Sequence, residues 1–209
     1  MTMRVLALAL ALLCLAGVAR AAELQPITTN DMTTTGDPML EALYAPQANP
    51  ALADKLRLYG RFVGSWDLDV DYYPAQGAAQ HAPAEWHFAT VLDGRAIQDV
   101  WIFPSRQARA GHAPVPWWFY GSTFRWYDPA IDGWHITYYE PTRPFALQQI
   151  GRAAGSDIVQ MTGEDPTGLI RRWRFVEITD TSFRWIGDAS RDKGVTWTLE
   201  LEMRARRVK

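Results

Sequence analysis

Asp99 stands among neighbours that make an unusual setting for a carboxylate. Two runs of alternating character, residues 84–92 and 95–103, flank Asp93-Gly94. Asp-Gly between such runs is the strongest short-range hairpin signal. A two-residue loop sets Trp86 opposite Trp101, Phe88 opposite Asp99 and Thr90 opposite Ile97. One face then carries Trp86, Phe88, Thr90, Ile97, Asp99, Trp101 and Phe103, and is predicted to point inward. The other carries Glu85, His87, Ala89, Ala96, Gln98 and Val100. An inward carboxylate requires a cation or several donors. Arg125 is the first candidate, on a strand where Thr123, Arg125 and Tyr127 share a face. Arg172 and Arg174, on the face of Val176 and Ile178, follow it. Such a pair either fixes strand register or orients an anionic or carbonyl ligand, and both roles stay open.

Proton transfer has two candidates, His87 and Asp99. The four histidines are His81, His87, His112 and His135. No two have His-x-His spacing, so no metal site is expected. Gly-x-Ser-x-Gly, a phosphate loop and a dinucleotide fingerprint are all absent from the sequence, and no cofactor is expected. The chain has 10 tryptophans. Trp86, Trp101, Trp173 and Trp185, with Phe88, are predicted to wall a cavity. Asp99 and Arg125 would supply its polar groups.

These side chains need strands to carry them. After Gly64 the period is two: Trp66, Leu68, Val70 and Tyr72 alternate with Asp67, Asp69 and Asp71. Further strands are predicted at 118–127, 134–140, 146–153, 157–162, 170–178, 182–188 and 195–204, each bounded by turn residues. Ten strands with short links and no helix between them form a meander, and closure removes its free edges. The predicted fold is therefore all-β, an antiparallel up-and-down barrel of about ten strands. About eight strands already hold one small ligand, so an interior cavity follows. Ahead of the barrel, Leu52, Leu56, Tyr59 and Val63 have helical spacing after Pro50, giving a helix over 50–63 that plugs or caps one end. A shorter helix is predicted over 38–44.

The first 21 residues carry Arg4, an apolar stretch over 5–18 and Ala19-Arg20-Ala21, the pattern of a cleaved signal peptide. That stretch is too short to span a bilayer comfortably. Cys14 is the sole cysteine and lies inside it, preceded by Leu13 where lipidation requires a small residue. The predicted organisation is a signal peptide over 1–21, a flexible segment over 22–49 and the barrel domain over 50–209. The mature protein would be periplasmic or secreted, without a transmembrane span. It would have no thiol, 19 basic residues against 23 acidic ones, and no basic face for nucleic acid. Charged outward positions on the first and last strands argue against a lipid-facing band.

The segment FVGSWDLDVDYY has the Gly-x-Trp opening of lipocalin-like (calycin) barrels. With VLDGRAIQDVWIF, GSTFRWYDPAIDGW and WTLELEMRARR it resembles an uncharacterised bacterial lipocalin-like family, a domain of unknown function, over roughly 62–206. The resemblance implies a small barrel with a central pocket. It implies that Trp66 closes the barrel base, with Arg204 or Arg206 of the last strand packed over it. Ser190-Arg191-Asp192-Lys193-Gly194-Val195-Thr196-Trp197 fits the Asp-box pattern of sialidase propellers, where it is a structural hairpin. A single copy implies a hairpin and no glycosidase. Three functions are compatible with this sequence: an exported protein binding a small apolar or amphipathic molecule, a cofactor-free isomerase or cyclase using His87 or Asp99, and a solid structural module of the envelope.

Overall fold

The computed structural model describes residues 36–114, 116–143 and 145–208. The signal peptide and its cleavage site lie outside them. Strands β2 (Gln80–Val91) and β3 (Ala96–Phe103) pair with Trp86 opposite Trp101, Phe88 opposite Asp99 and Thr90 opposite Ile97. That register follows from the turn. Asp93 and Gly94 both take positive φ, 55° and 69°, and Arg95 N donates to Leu92 O at 3.1 Å. Leu92 is left-handed too, at 51°, and the ladder ends at Val91–Ala96, so a four-residue link keeps the register of the expected two-residue turn.

The same neighbour-to-neighbour pairing runs through β4 (Phe119–Asp128), β5 (Gly133–Glu140), β6 (Phe145–Ala154), β7 (Asp157–Met161), β8 (Ile170–Val176), β9 (Ser182–Ser190) and β10 (Thr198–Arg207). β10 then pairs with β1 (Gly64–Tyr72), and the ten-stranded barrel closes. Alternation explains the seam. Trp66, Leu68 and Val70 are buried inside, while the intervening aspartates face out. Across the seam Asp67 meets Arg206 and Asp69 meets Arg204, and Arg204 Nη2 lies 2.7 Å from Asp71 Oδ2. Opposite charges directly across a ladder favour this pairing over others.

The helix over 50–63 is shorter than its apolar spacing suggests. A 3-10 turn (Pro50–Leu52) leads into α2 (Ala53–Gly60). α2 seals one end of the barrel with Leu56 and Tyr59, joined by Phe62 just beyond it. Phe62 stacks on Phe175 at 4.6 Å between centroids, and Tyr59 meets Trp134 edge-on at 4.8 Å. Of the expected 22–49 segment, residues 36–49 are described. Asp37 caps α1 (Pro38–Leu43), and Ala45 N donates to Thr90 O and Asn49 N to Gly94 O. The chain here lies along the turn of the second hairpin. A Cβ on Gly94 would sit 2.6 Å from Asn49 N, so only glycine allows this approach.

Arg109 of α3 (Arg106–Arg109), a single turn between β3 and β4, ties that loop down through Pro104 O and Phe103 O at 2.7 Å each. β10 starts three residues later than the alternation from Val195 suggests. The Asp-box occupies the gap: Gly194 N donates to Ser190 Oγ at 2.8 Å, Thr196 N to Asp192 Oδ1 at 2.8 Å and Trp197 Nε1 to Gly194 O at 3.0 Å. Its role is that of a hairpin staple, and the Thr196 hydroxyl and amide, with the Ser190 hydroxyl, hold the Asp192 carboxyl down at about 2.

Candidate functional site

The barrel interior has two levels. The lower level, next to α2, holds Asp99 and Arg125. They form an ion pair, with side chains 0 to 1 % exposed. Ile97 stands directly opposite Arg125, and Asp99 opposite Thr123, so the pair is diagonal across β3 and β4. The guanidinium carbon lies 5.3 Å from the Tyr59 ring centroid, 5.7 Å from Phe88 and 6.0 Å from Phe175. Gln149 and Gln160 are buried inside the barrel too, and Gln149 Nε2 donates to Gln160 O at 3.4 Å. Burial pushes the Tyr59 hydroxyl well above the usual tyrosine range, so it stays neutral.

The upper level is a cavity of about 440 Å³ at the other end of the barrel. Trp86, Trp101, Trp173 and Trp185 line it, with Tyr72, Phe119, Tyr138, Leu201 and Met203. Trp173 and Trp185 lie 5.3 Å apart, and Trp101 and Phe119 5.1 Å. Gly187 makes room for this cluster, because a Cβ there would sit 2.6 Å from the Trp185 ring. Below the rim, Tyr138 donates to Glu140 Oε2 at 2.7 Å. Glu140 also accepts from Tyr120 N at 3.2 Å and from the Thr142 hydroxyl. The lining includes three charged side chains, Arg143, Arg171 and Glu200. Burial raises the Glu200 carboxyl above its ordinary range, and nearby Arg171 opposes the shift.

The predicted site residues thus fall into groups. The four tryptophans share the cavity wall. Phe88, Asp99 and Arg125 do not line it and belong to the sealed level beneath. Arg172 and Arg174 do not reach Asp99. They hold Asp188, with Arg172 Nη2 2.7 Å and Arg174 Nη2 2.9 Å from its Oδ2. The reason is parity: Trp173 and Phe175 point in, so their neighbours point out and Arg171 points in. Arg171 and Arg143 went unnoticed in the sequence. Arg171 follows from Trp173 by alternation, whereas Arg143 sits in the β5–β6 turn, where no periodicity marks it.

His87 lies on the outer face, away from the cavity. Its Nδ1 is 2.9 Å from Ser65 Oγ and its Nε2 3.0 Å from Glu85 Oε2. This chain has the composition of a nucleophile–base–acid relay, but its surroundings do not suit one. Arg106 occupies both Glu85 oxygens and holds the carboxyl down at about 2. Ser65 lies in a strand paired on both sides, opposite His87 and accepting from Val208 N, which leaves no evident oxyanion hole. His135 stacks on Trp126 at 4.2 Å and bonds Asp128 at 2.9 Å. No histidine lines the cavity. Among the described residues no group of three metal-ligating side chains is found, and no helix is long and apolar enough to cross a membrane.

At the sealed end, Trp66 is buried and its Nε1 donates to Phe62 O at 2.7 Å. The cation over its ring is Arg207, at 4.2 Å, in place of the expected Arg204 or Arg206. Arg207 is directly opposite Trp66, and opposite residues share a face, which sends Arg204 and Arg206 outward.

No protein family and no curated protein matches this chain. Solved structures do. The crystal structure of Rv2717c from M. tuberculosis is similar, with a TM-score of 0.52 and 14% identity, over 78% of this chain and 100% of that one. An S-type phycobiliprotein lyase, CPES from Guillardia theta, aligns with a TM-score of 0.48 and 14% identity, over 73% of this chain and 92% of that one. The likeness to Rv2717c, at 14% identity, is one of fold: a closed antiparallel barrel of the kind expected from the sequence.

Proposed function

We propose that this chain is an exported carrier that holds a small, largely apolar molecule in the upper barrel cavity. The carrying observation is the cavity itself, about 440 Å³ within a wall of four tryptophans. Its size and apolar lining suit a small organic ligand. The cavity favours this reading over a solid structural module. The absence of any histidine from its lining favours it over proton-transfer chemistry. Arginines at the rim and tryptophans within suit an apolar body with a polar end.

N-phenyl-1-naphthylamine, a neutral probe that brightens in apolar surroundings, tests the reading. The protein is expected to bind it with a one-to-one stoichiometry. Leu201→Trp, which fills the cavity from its wall, is expected to weaken binding at least tenfold. Its cooperative urea unfolding should stay within about 2 kcal/mol of the parent, since the added bulk enters free space. Equal binding by the variant, or no binding by the parent of either this probe or its sulfonated analogue, would refute the carrier reading. Export rests on the Ala19-Arg20-Ala21 pattern. The intact mass of protein recovered from the periplasm or medium is expected to begin at Ala22; a mass that retains residues 1–21 would refute it.

A further inference from the structure

The cavity carries more positive charge than its chain would suggest. The whole protein has a formal net charge of −2, yet two of the three charged side chains lining the cavity are arginines. Arg143 has no carboxylate within 4.0 Å among the described residues. Its guanidinium lies 3.9 Å from the Phe119 ring centroid, and its Nε is buried with no partner. Glu140, at the end of the same turn, is filled by Tyr138, Tyr120 and Thr142. Arg171 is held only loosely: its Nε is 3.7 Å from Glu200 Oε2, beyond a normal hydrogen bond. Its guanidinium carbon lies 5.8 Å from the Phe145 ring centroid, and Phe145 also lines the cavity.

A guanidinium on an aromatic face, with its donors uncommitted, is suited to a planar acid group. Its charge is less screened at the lip of an apolar cavity than in open water. Both arginines belong to the open end, Arg143 in the β5–β6 turn and Arg171 near the start of β8. We propose that the cavity selects amphipathic organic anions, with the acid group held at the mouth by Arg143 and Arg171 and the apolar body reaching in among Trp86, Trp101 and Trp185. This inference rests on the carrier reading and specifies its ligand class.

Two probes with one aromatic body separate the claims: neutral N-phenyl-1-naphthylamine and 8-anilino-1-naphthalenesulfonate, which adds a sulfonate. The anion is expected to bind at least tenfold more tightly, with an affinity that falls as salt rises. Arg143→Met keeps the contact with Phe119. It is expected to weaken the anion about tenfold, the loss of one charge-assisted hydrogen bond, and the neutral probe less than twofold. Glu200→Gln, which removes the competing carboxylate, is expected to tighten the anion about threefold. Equal affinity for the two probes, or an equal loss of both in Arg143→Met, would overturn the anion claim and leave the carrier reading standing. Failure of both probes to bind would overturn the carrier reading itself.

Discussion

Arg125→Met is expected to lower the unfolding free energy by about 3–5 kcal/mol, the range for removing one partner of a buried ion pair. The arginine is 0 % exposed and its partner Asp99 1 %. Methionine fills much of the space between Tyr59, Phe88 and Phe175 but leaves the carboxylate without a cation in an aromatic surround. The carboxylate must then take up a proton or admit water. Asp99→Asn alone leaves a buried guanidinium and should also destabilise. Combining Asp99→Asn with Arg125→Met removes both charges and is expected to recover at least about 1 kcal/mol relative to the sum of the singles. Urea melts of the four proteins give the coupling. Binding of N-phenyl-1-naphthylamine should persist in every variant that folds, since neither residue lines the cavity. Loss of that binding with unchanged stability would mean the pair serves the ligand. A cost for Arg125→Met below about 1 kcal/mol would mean it does not hold the register.

That pair shows how far strand alternation carries. The Asp93-Gly94 turn has one favoured geometry, so it fixes which side of each strand faces in, and the placement of Asp99 follows without any tertiary information. Choosing its partner needs the neighbouring strand, and there only Arg125 has the right parity. Arg172 fails the same test, because it and Trp173 cannot both point inward. The cavity walls were legible because tryptophans on inward positions must meet somewhere. Its charged mouth was not. Arg143 lies in a turn, and Glu200 sits where the β9–β10 register slips between Leu199 and Leu201. Neither position follows a period. The N-terminal helix was legible over 38–44 but its docking was not, because none of its side chains is buried and the arm's hold on the barrel comes from backbone bonds to Thr90 and Gly94.

Trp66→Ala is expected to cost about 3–5 kcal/mol, the range for truncating a large buried aromatic side chain. The ring is 0 % exposed and meets Phe183 edge-on at 4.7 Å and Phe62 at 6.4 Å. Its removal opens the sealed end beneath α2 and leaves Phe62 O without its indole donor. Arg207 should share in this loss. Its Nη2 donates to Arg61 O at 2.6 Å, its Nη1 to Val63 O at 2.7 Å and its Nε to Asp180 O at 2.7 Å. Arg61 and Val63 follow the last turn of α2, where helix carbonyls lack intrahelical partners and a cation is favoured. One side chain thus ties the plug helix and the β8–β9 turn to the tryptophan at the start of β1. Gly64 permits the approach, since a Cβ there, at φ +121°, would stand 3.0 Å from Arg207 Nη1. Arg207→Lys keeps the charge but cannot reach three carbonyls at once, so lysine should restore little of what Arg207→Ala loses. With both residues changed to alanine, the cation–π contact is lost only once, and the cost should fall short of the sum by about 0.5–1 kcal/mol. A Trp66→Ala cost below about 1 kcal/mol would mean the ring does not close the base. Strict additivity with Arg207→Ala would mean the arginine works through the carbonyls alone.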